Sequence, residues 1–310
     1  MRSYYQSKPV STAGLVATIG VFDGVHVGHR SLILAVRQEA EKRGIESAVI
    51  TFSSSPSALF DPNFVPQSIS DPKEKESLFK EAGVDVCITL DFNQEIAVLT
   101  AEEFFCKLLV PWNVKCLVVG YDHRFGRGRA EGMEDYVRYG AAVGIDVVQA
   151  SVFLLDGKDK VSSSKVRSLI RKGAVSEVSR YLGRAYTLSG KVTEGFQIGT
   201  SIGFPTANIV PLFAEKIVPG KGVYAIRAKV NGKVYGGMLN IGTRPTFHKN
   251  AETSIEANLF DFSGDIYNQE IEISFISRLR EERKFETIDQ LQEQMRKDKL
   301  ATEGYLKELL

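Results

Sequence analysis

The pattern of apolar residues changes near residue 184, and no other feature limits the fold as much. Before that point, short continuous apolar runs alternate with amphipathic helical stripes. LVATIGVF (15–22), ESAVITF (46–52), VDVCITL (84–90), KCLVVG (115–120) and IDVVQAS (145–151) read as buried strands. Arg30–Arg43, PKEKESLFKEAG (72–83), TAEEFFCKLLV (100–110) and MEDYVRYGAAVG (133–144) read as the intervening helices, the third with Thr100 as its N-cap. Short helices over 165–172 and 175–182 follow. This alternation predicts a doubly wound parallel sheet. Beyond it, KVTEGF, GVYAIRAKV, KVYGGMLNIG, TSIEANLF and EIEISFISRL repeat with period two, separated by Gly, Asn and Pro turns. VNGKV (230–234) is a hairpin signal, so the second half predicts an antiparallel barrel, closed by an amphipathic helix from about Thr287.

The 310 residues suit two domains at roughly 150 residues each, here 1–183 and 184–310. Lys and Arg total 39 and Asp and Glu 38, and a net charge of +1 offers no global attraction to nucleic acid or an anionic membrane. No apolar stretch approaches the roughly 18 residues of a membrane span. MRSYYQSKPVSTAG lacks an apolar core with a cleavage site, so no signal peptide is expected. Cys87, Cys106 and Cys116 each sit in an apolar segment without CxxC spacing, and read as reduced core residues of a cytoplasmic protein. They do not combine with the histidines into a zinc site.

Function points first to the end of strand LVATI. Gly20, Phe22, Asp23, Gly24, His26, Gly28 and His29 lie in a glycine-rich strand-to-helix turn, at the sheet edge where open α/β proteins bind ligands. Glycines admit a ligand close to the backbone, the helix N-terminus attracts phosphate, and imidazoles donate to phosphoryl oxygens as charge moves onto pyrophosphate. The segment is neither a Walker A loop nor GxGxxG. GYDHRFG (120–126) follows another strand and adds Asp122 and the basic residues Arg124, Arg127 and Arg129. VSSSKVR (161–167) precedes a helix; its serines suit helix capping, and Ser163, Ser164, Lys165 and Arg167 together suit a polyphosphate.

GVFDGVHVGHRSL, GYDHRFG and VSSSKVR, in that order, resemble the N-terminal module of bacterial bifunctional riboflavin kinase/FMN adenylyltransferase. GFPTAN (203–208), GVY (222–224), NIGTRPT (240–246), IEA (255–257) and FDFSGDIY resemble its kinase barrel, so the likeness covers nearly the whole chain. The resemblance implies an α/β Rossmann-like HxGH nucleotidylyltransferase domain followed by an antiparallel β-barrel riboflavin kinase domain with a C-terminal helix. It implies ATP-dependent phosphorylation of riboflavin to FMN, then adenylylation of FMN to FAD with release of pyrophosphate, both with magnesium. By resemblance Thr206 and Asn208 hold the nucleotide's magnesium, and Glu256 takes the proton of the ribityl hydroxyl. Period two sets Glu256 on one face with Ser254 and Asn258. Taken alone, Glu256 reads as an exposed strand carboxylate and PTAN as a tight turn. Tyr224, Arg244 and Phe247 are candidates to line the flavin site.

The chain departs from the family pattern in three places. Ser53, Ser54 and Ser55 replace the acidic, Pro and His or Asn positions of a Thr-Phe-Glu-Pro-His-Pro segment, with Pro56 retained. His123 stands for the usual Phe, and Gly199-Thr200 for a Gly-Arg pair. Two alternatives stand beside the bifunctional reading: a riboflavin kinase with a weakened or altered adenylyltransferase half, and a non-catalytic flavin- or nucleotide-binding regulator.

Overall fold

The computed structural model describes residues 1–5, 13–54, 59–61, 65–129, 131–194, 204–243 and 253–307. The chain forms two compact units, Met1–Ser163 and Ser164–Leu310.

The first unit runs β1 (Arg2–Tyr5), β2 (Leu15–Ile19), α1 (Val27–Arg43), β3 (Glu46–Phe52), α2 (Pro72–Glu81), β4 (Val86–Leu90), α3 (Gln94–Ala97), α4 (Ala101–Phe104), β5 (Val114–Val119), α5 (Met133–Val143), β6 (Asp146–Gln149), and the short pair β7 (Leu154–Leu155) and β8 (Asp159–Lys160). Six strands form one parallel sheet in the order β1-β4-β3-β2-β5-β6. Successive residues of each buried strand serve opposite faces. Ala17, Ile50, Ile88 and Leu117 pack with Phe104, Phe105, Leu109 and Tyr136 on one side. Val16, Val49, Cys87 and Val118 pack on the other, against Ile33 and Val36 of α1 and Leu78 and Phe79 of α2. Burial on both faces is why the strands are continuously apolar.

Three local features differ from the pattern-based reading. β1 is an edge strand of mostly exposed residues, paired with β4, and carries no apolar run to reveal it. The segment 100–110 starts as expected, with a reciprocal Thr100–Glu103 capping box, but α4 passes into a π-helical turn over Phe105–Leu109. Phe105 and Leu109 face the core, which turns Cys106 outward. Cys87 and Cys116 are buried as expected; Cys106 is an exposed thiol, not a core residue.

The second helical pair is α6 (Ser163–Arg171) and α7 (Val175–Leu182). The strands β9 (Tyr186–Thr193), β10 (Ala207–Pro211), β11 (Gly222–Val230), β12 (Lys233–Thr243), β13 (Thr253–Leu259) and β14 (Glu270–Arg280) close into an antiparallel barrel, followed by α8 (Ile288–Lys307). β10 begins inside the PTAN segment, where the sequence reads as a turn. The division at Ser163/Ser164 precedes the change of pattern at 183/184 because α6 and α7 dock on the barrel unit. Gly220 N–H donates to Ile170 O at 3.0 Å, and Ser176 Oγ to Ile276 O at 3.3 Å. Asn231 (φ 52°) and Gly232 (φ 75°) form the tight β11–β12 turn that VNGKV predicts, because both central residues must take positive φ.

A buried ion pair ties α8 to the end of β14. The Arg280 guanidinium donates from Nε (3.0 Å) and Nη2 (2.8 Å) to Asp298 Oδ2, and Gln294 Nε2 donates to Oδ1 at 2.7 Å. Asp298 is only 4% exposed, so removing it strands a cation. Asp298→Ala is expected to lower stability by about 3 kcal/mol, read as a shifted denaturant midpoint in far-ultraviolet circular dichroism.

Candidate active sites

The order of the parallel sheet creates a crevice. From β2 the chain proceeds through β3 to β4 on one side, then returns to β5 on the other. The loops after β2 and β5 therefore diverge at their carboxyl ends, where an open α/β sheet binds ligands.

The loop after β2 is conformationally costly. Phe22 (φ 52°), Gly24 (φ 81°) and Val25 (φ 38°) all take positive φ, which β-branched valine strongly resists. Asp23 braces this turn. Its buried Oδ1 accepts from the N–H groups of Ile69 (2.8 Å) and Ser70 (3.2 Å), while Gly24 N–H donates to Ser70 Oγ at 3.0 Å. Ser163 Oγ donates to the Asp23 carbonyl at 2.9 Å. The Asp23 carboxylate thus holds the loop by hydrogen bonds within the protein. Gly20 N–H donates to Ile50 O at 3.0 Å and sets the exit from β2.

α1 starts at Val27, ahead of the predicted Arg30, so Gly28 and His29 belong to its first turn. His26 is the N-cap: its Nδ1 accepts from His29 N–H at 3.2 Å. The two imidazoles stack, with centroids 3.5 Å apart and planes 11° from parallel. A Cβ at Gly28 would lie 3.3 Å from His26 Nδ1, so the absent side chain leaves this face open. His29 meets the Phe22 ring edge-on at 5.1 Å, and its Nδ1 is buried with no hydrogen-bond partner among the described residues. Burial, reinforced by the charges of His26, His123 and Lys75, holds the His29 pKa well below the usual value. His29 is therefore a neutral imidazole at pH 7, able to donate one proton in a hydrogen bond.

Opposite lies a cavity of about 390 Å³, lined by Gly120, Asp122, His123, Arg124, Tyr136 and Gln149 among others. The Tyr136 hydroxyl accepts from Phe125 N–H at 3.0 Å and donates to Phe125 O at 3.2 Å, which fixes the GYDHRFG loop. Arg124 donates to Glu131 O at 2.8 Å and Arg127 is exposed; the Arg129 side chain lies outside the described residues. Ser164, Lys165 and Arg167 follow Ser163 in the first turns of α6.

In the barrel, strand register assembles the second constellation. Asn208 of β10 opposes Glu256 of β13, Glu256 opposes Asn240 of β12, Asn240 opposes Val223 of β11, and Val223 opposes Arg280 of β14. Directly opposed residues share a sheet face. Thr206, Asn240, Glu256, Asn258, Arg280 and Phe285 border a cavity of about 280 Å³, with Leu291 and Met295 of α8 beside them. Asn258 Nδ2 donates to Pro205 O at 2.7 Å and anchors the PTAN segment. Of the expected face, Glu256 and Asn258 line the cavity, while Ser254 is buried outside it.

Tyr224 does not line this cavity. It is fully buried, its ring edge-on to Phe275 at 5.4 Å and its hydroxyl donating to Gly220 O; its neighbour Val223 faces the cavity instead. Strand alternation sends adjacent residues to opposite faces, so Tyr224, expected among the flavin-lining residues, points away from this cavity. Arg244 and Phe247 lie outside the described residues, as do Ser55, Pro56, Gly199, Thr200 and Gly203. Sequence reasoning missed Lys75, Tyr136, Arg280, Phe285 and Asp298 as parts of these sites. Among the described residues no group of three or more His, Cys, Asp or Glu side chains could hold a metal ion.

A Cβ at Gly24 would sit 2.8 Å from Ile69 Cγ2, in addition to the positive φ. Gly24→Ala is expected to destabilise the first unit by about 2 kcal/mol, followed through the fluorescence of Trp112, the single tryptophan.

Comparison with known proteins places both constellations in a common context. The FAD synthetase family profile matches residues 8–165 and the riboflavin kinase profile residues 182–306. A bifunctional riboflavin kinase/FMN adenylyltransferase from Bacillus subtilis is 37% identical over 300 residues, 95% of this chain and 93% of that protein. Its namesake from Escherichia coli is 34% identical, over 98% of this chain and 97% of that one. A crystal structure described as a macrolide-efflux protein from Streptococcus pneumoniae matches with a TM-score of 0.89 at 32% identity, over 97% of this chain and 98% of that one. Efflux is the description of that protein; among the described residues here, no helix is long and apolar enough to cross a membrane. Two family profiles in series and relatives matched over nearly their full length agree: the chain belongs to the bifunctional riboflavin kinase/FMN adenylyltransferase family.

Proposed function

We propose that residues 184–310 phosphorylate riboflavin with ATP to give FMN, and that residues 1–183 transfer AMP from a second ATP to FMN, giving FAD and pyrophosphate. The observation that carries the reading is the barrel register, which sets Glu256 between Asn208 and Asn240 on a cavity wall.

In the first reaction the ribityl hydroxyl oxygen attacks the γ-phosphorus of ATP, the bond to the ADP oxygen breaks, and Glu256 accepts the hydroxyl proton. Phosphoryl transfer depends mainly on positioning and charge neutralisation, so one carboxylate in this place suffices as base. Thr206 and Asn208 offer neutral oxygens beside it, a donor set that fits a hard cation whose charge phosphates largely meet. Magnesium bound there would neutralise phosphate charge. The apolar wall of Phe285, Leu291 and Met295 suits the flat flavin ring.

In the second reaction an FMN phosphate oxygen attacks the α-phosphorus of ATP, and the bond to pyrophosphate breaks. His26 and His29 stand where the α1 N-terminus and the turn's open backbone meet, and a neutral His29 donates to an oxygen that gains charge. Gly20, Phe22, Gly24 and Gly28 shape the approach, and Asp23 holds that shape. Asp122 and the GYDHRFG cavity receive the nucleotide or flavin. Ser163, Ser164, Lys165 and Arg167, whose hydroxyls and charges suit a polyphosphate, lie together at the start of α6. Three free cysteines accord with a cytoplasmic setting, where thiols stay reduced.

The test is incubation with riboflavin, ATP and magnesium, followed by chromatographic separation of the flavins. FMN and FAD together are expected. FMN alone would favour a kinase with an altered first unit, and no conversion would favour a binding protein. Glu256→Gln is expected to slow FMN formation by about 10²–10⁴-fold while added FMN still becomes FAD; His29→Ala is expected to do the reverse.

A further inference from the structure

Lys75 holds a charge at the adenylyl-transfer site that the residues above leave unused. α2 begins at Pro72 after the Asp71 cap, whose carboxylate accepts Glu74 N–H at 2.8 Å, and this start places Lys75 beneath the sheet edge. Its Nζ donates to Phe52 O (2.8 Å), Thr51 Oγ1 (3.2 Å) and Val21 O (3.4 Å). The Thr51 hydroxyl also donates to Val21 O at 3.1 Å. One ammonium therefore ties the residue before Phe22 to the end of β3. All three acceptors are uncharged, and three acceptors demand the three protons of the charged form.

No carboxylate pairs with this ammonium among the described residues. The carboxylate that acts on it is Asp23, whose Oδ1 already accepts from Ile69 and Ser70. Burial draws the Lys75 pKa down from its ordinary value, so keeping a cation here carries a desolvation cost. A helix peg alone would be served by an uncharged side chain. A fixed cation bound to the Val21 carbonyl, with an electrostatic reach to His29, suits a site through which a triphosphate and its pyrophosphate product pass.

We propose that Lys75 is a positioning residue of adenylyl transfer: it pins the left-handed turn that leads into His26 and His29 and supplies fixed positive charge for the pyrophosphate leaving group. The proposal rests on the adenylyl-transfer reading of the first unit. It also gives Lys75 an electrostatic hold on His29, which is faced by His26 ahead of α1, His123 from the loop after β5, and Lys75 from α2. Arg30, the next residue on α1, has its own partner in Glu81 at 3.8 Å. Each of the three facing groups disfavours protonation of His29. Removing the Lys75 charge relieves part of that effect, so His29 takes up a proton at higher pH.

The experiment uses the whole protein, with its kinase reaction as an internal control for folding. Wild type, K75M, K75Q and K75R are compared for FAD formation from FMN, ATP and magnesium across pH, and for FMN formation from riboflavin. K75M is expected to lose on the order of 100-fold in FAD formation with FMN formation unchanged. The acid limb of its FAD-forming pH profile is expected to move up, and K75R to return it toward the wild-type position. Should K75M fail to fold, K75Q, which keeps a donor without the charge, carries the same expectation. FAD formation within about twofold of wild type in the neutral variants would overturn the proposal. So would a loss in which the pH limb stays fixed and Arg gives no rescue, since a mere peg predicts that. A wild-type chain making FMN and no FAD would instead overturn the adenylyl-transfer reading, and the role of Lys75 with it.

Discussion

The first unit depends on a carboxylate that accepts backbone hydrogen bonds. A turn with Phe22, Gly24 and Val25 at positive φ is unfavourable by itself, and the Asp23 carboxylate makes it a single well-defined shape by binding Ile69 and Ser70. That shape decides where α1 begins, and with it the stacking of His26 on His29. Lys75 grips the other end of the same turn through the Val21 carbonyl. Acid and base thus hold the loop from two directions, at the carboxyl edge of the parallel sheet.

The barrel solves a similar problem by register. Its ladder sets Asn208, Glu256, Asn240, Val223 and Arg280 in one row, so the spacing of the polar groups comes from the backbone hydrogen bonds of five strands. Arg280 then reaches Asp298 and fastens α8, which supplies the apolar side of the cavity. The polar row and the helix joined to it by this ion pair give the cavity one polar and one apolar wall.

Much of this was legible in the chain. Continuous apolar runs and helical stripes anticipate the buried parallel sheet, and period-two runs with an Asn-Gly turn anticipate the barrel. Signals failed where burial was slight or pairing decided the outcome. β1 has no apolar pattern because it is an exposed edge, and β10 hides in a segment that reads as a turn because only its neighbours make it a strand. Cys106 sits in an apolar word yet faces solvent, since a π-helical turn sets which side of the segment is buried. The motif position of Tyr224 does not say which face of β11 looks toward the cavity, and the residue is buried away from it.

The sequence by itself determined the two fold classes and their order and singled out the histidine pair in its glycine-rich turn, whereas Thr206, Asn208 and Glu256 stand out only through the family resemblance. Those properties are local, since periodicity, glycine spacing and side-chain type can be read along the chain. Only the tertiary structure decided that Asp23 acts as a brace, that Lys75 grips the turn ahead of the histidines, and that Asn240 and Arg280 share a row with Glu256. Each of these joins segments distant in sequence through a hydrogen bond or a strand register, and such pairings exist only once the backbone has closed around them.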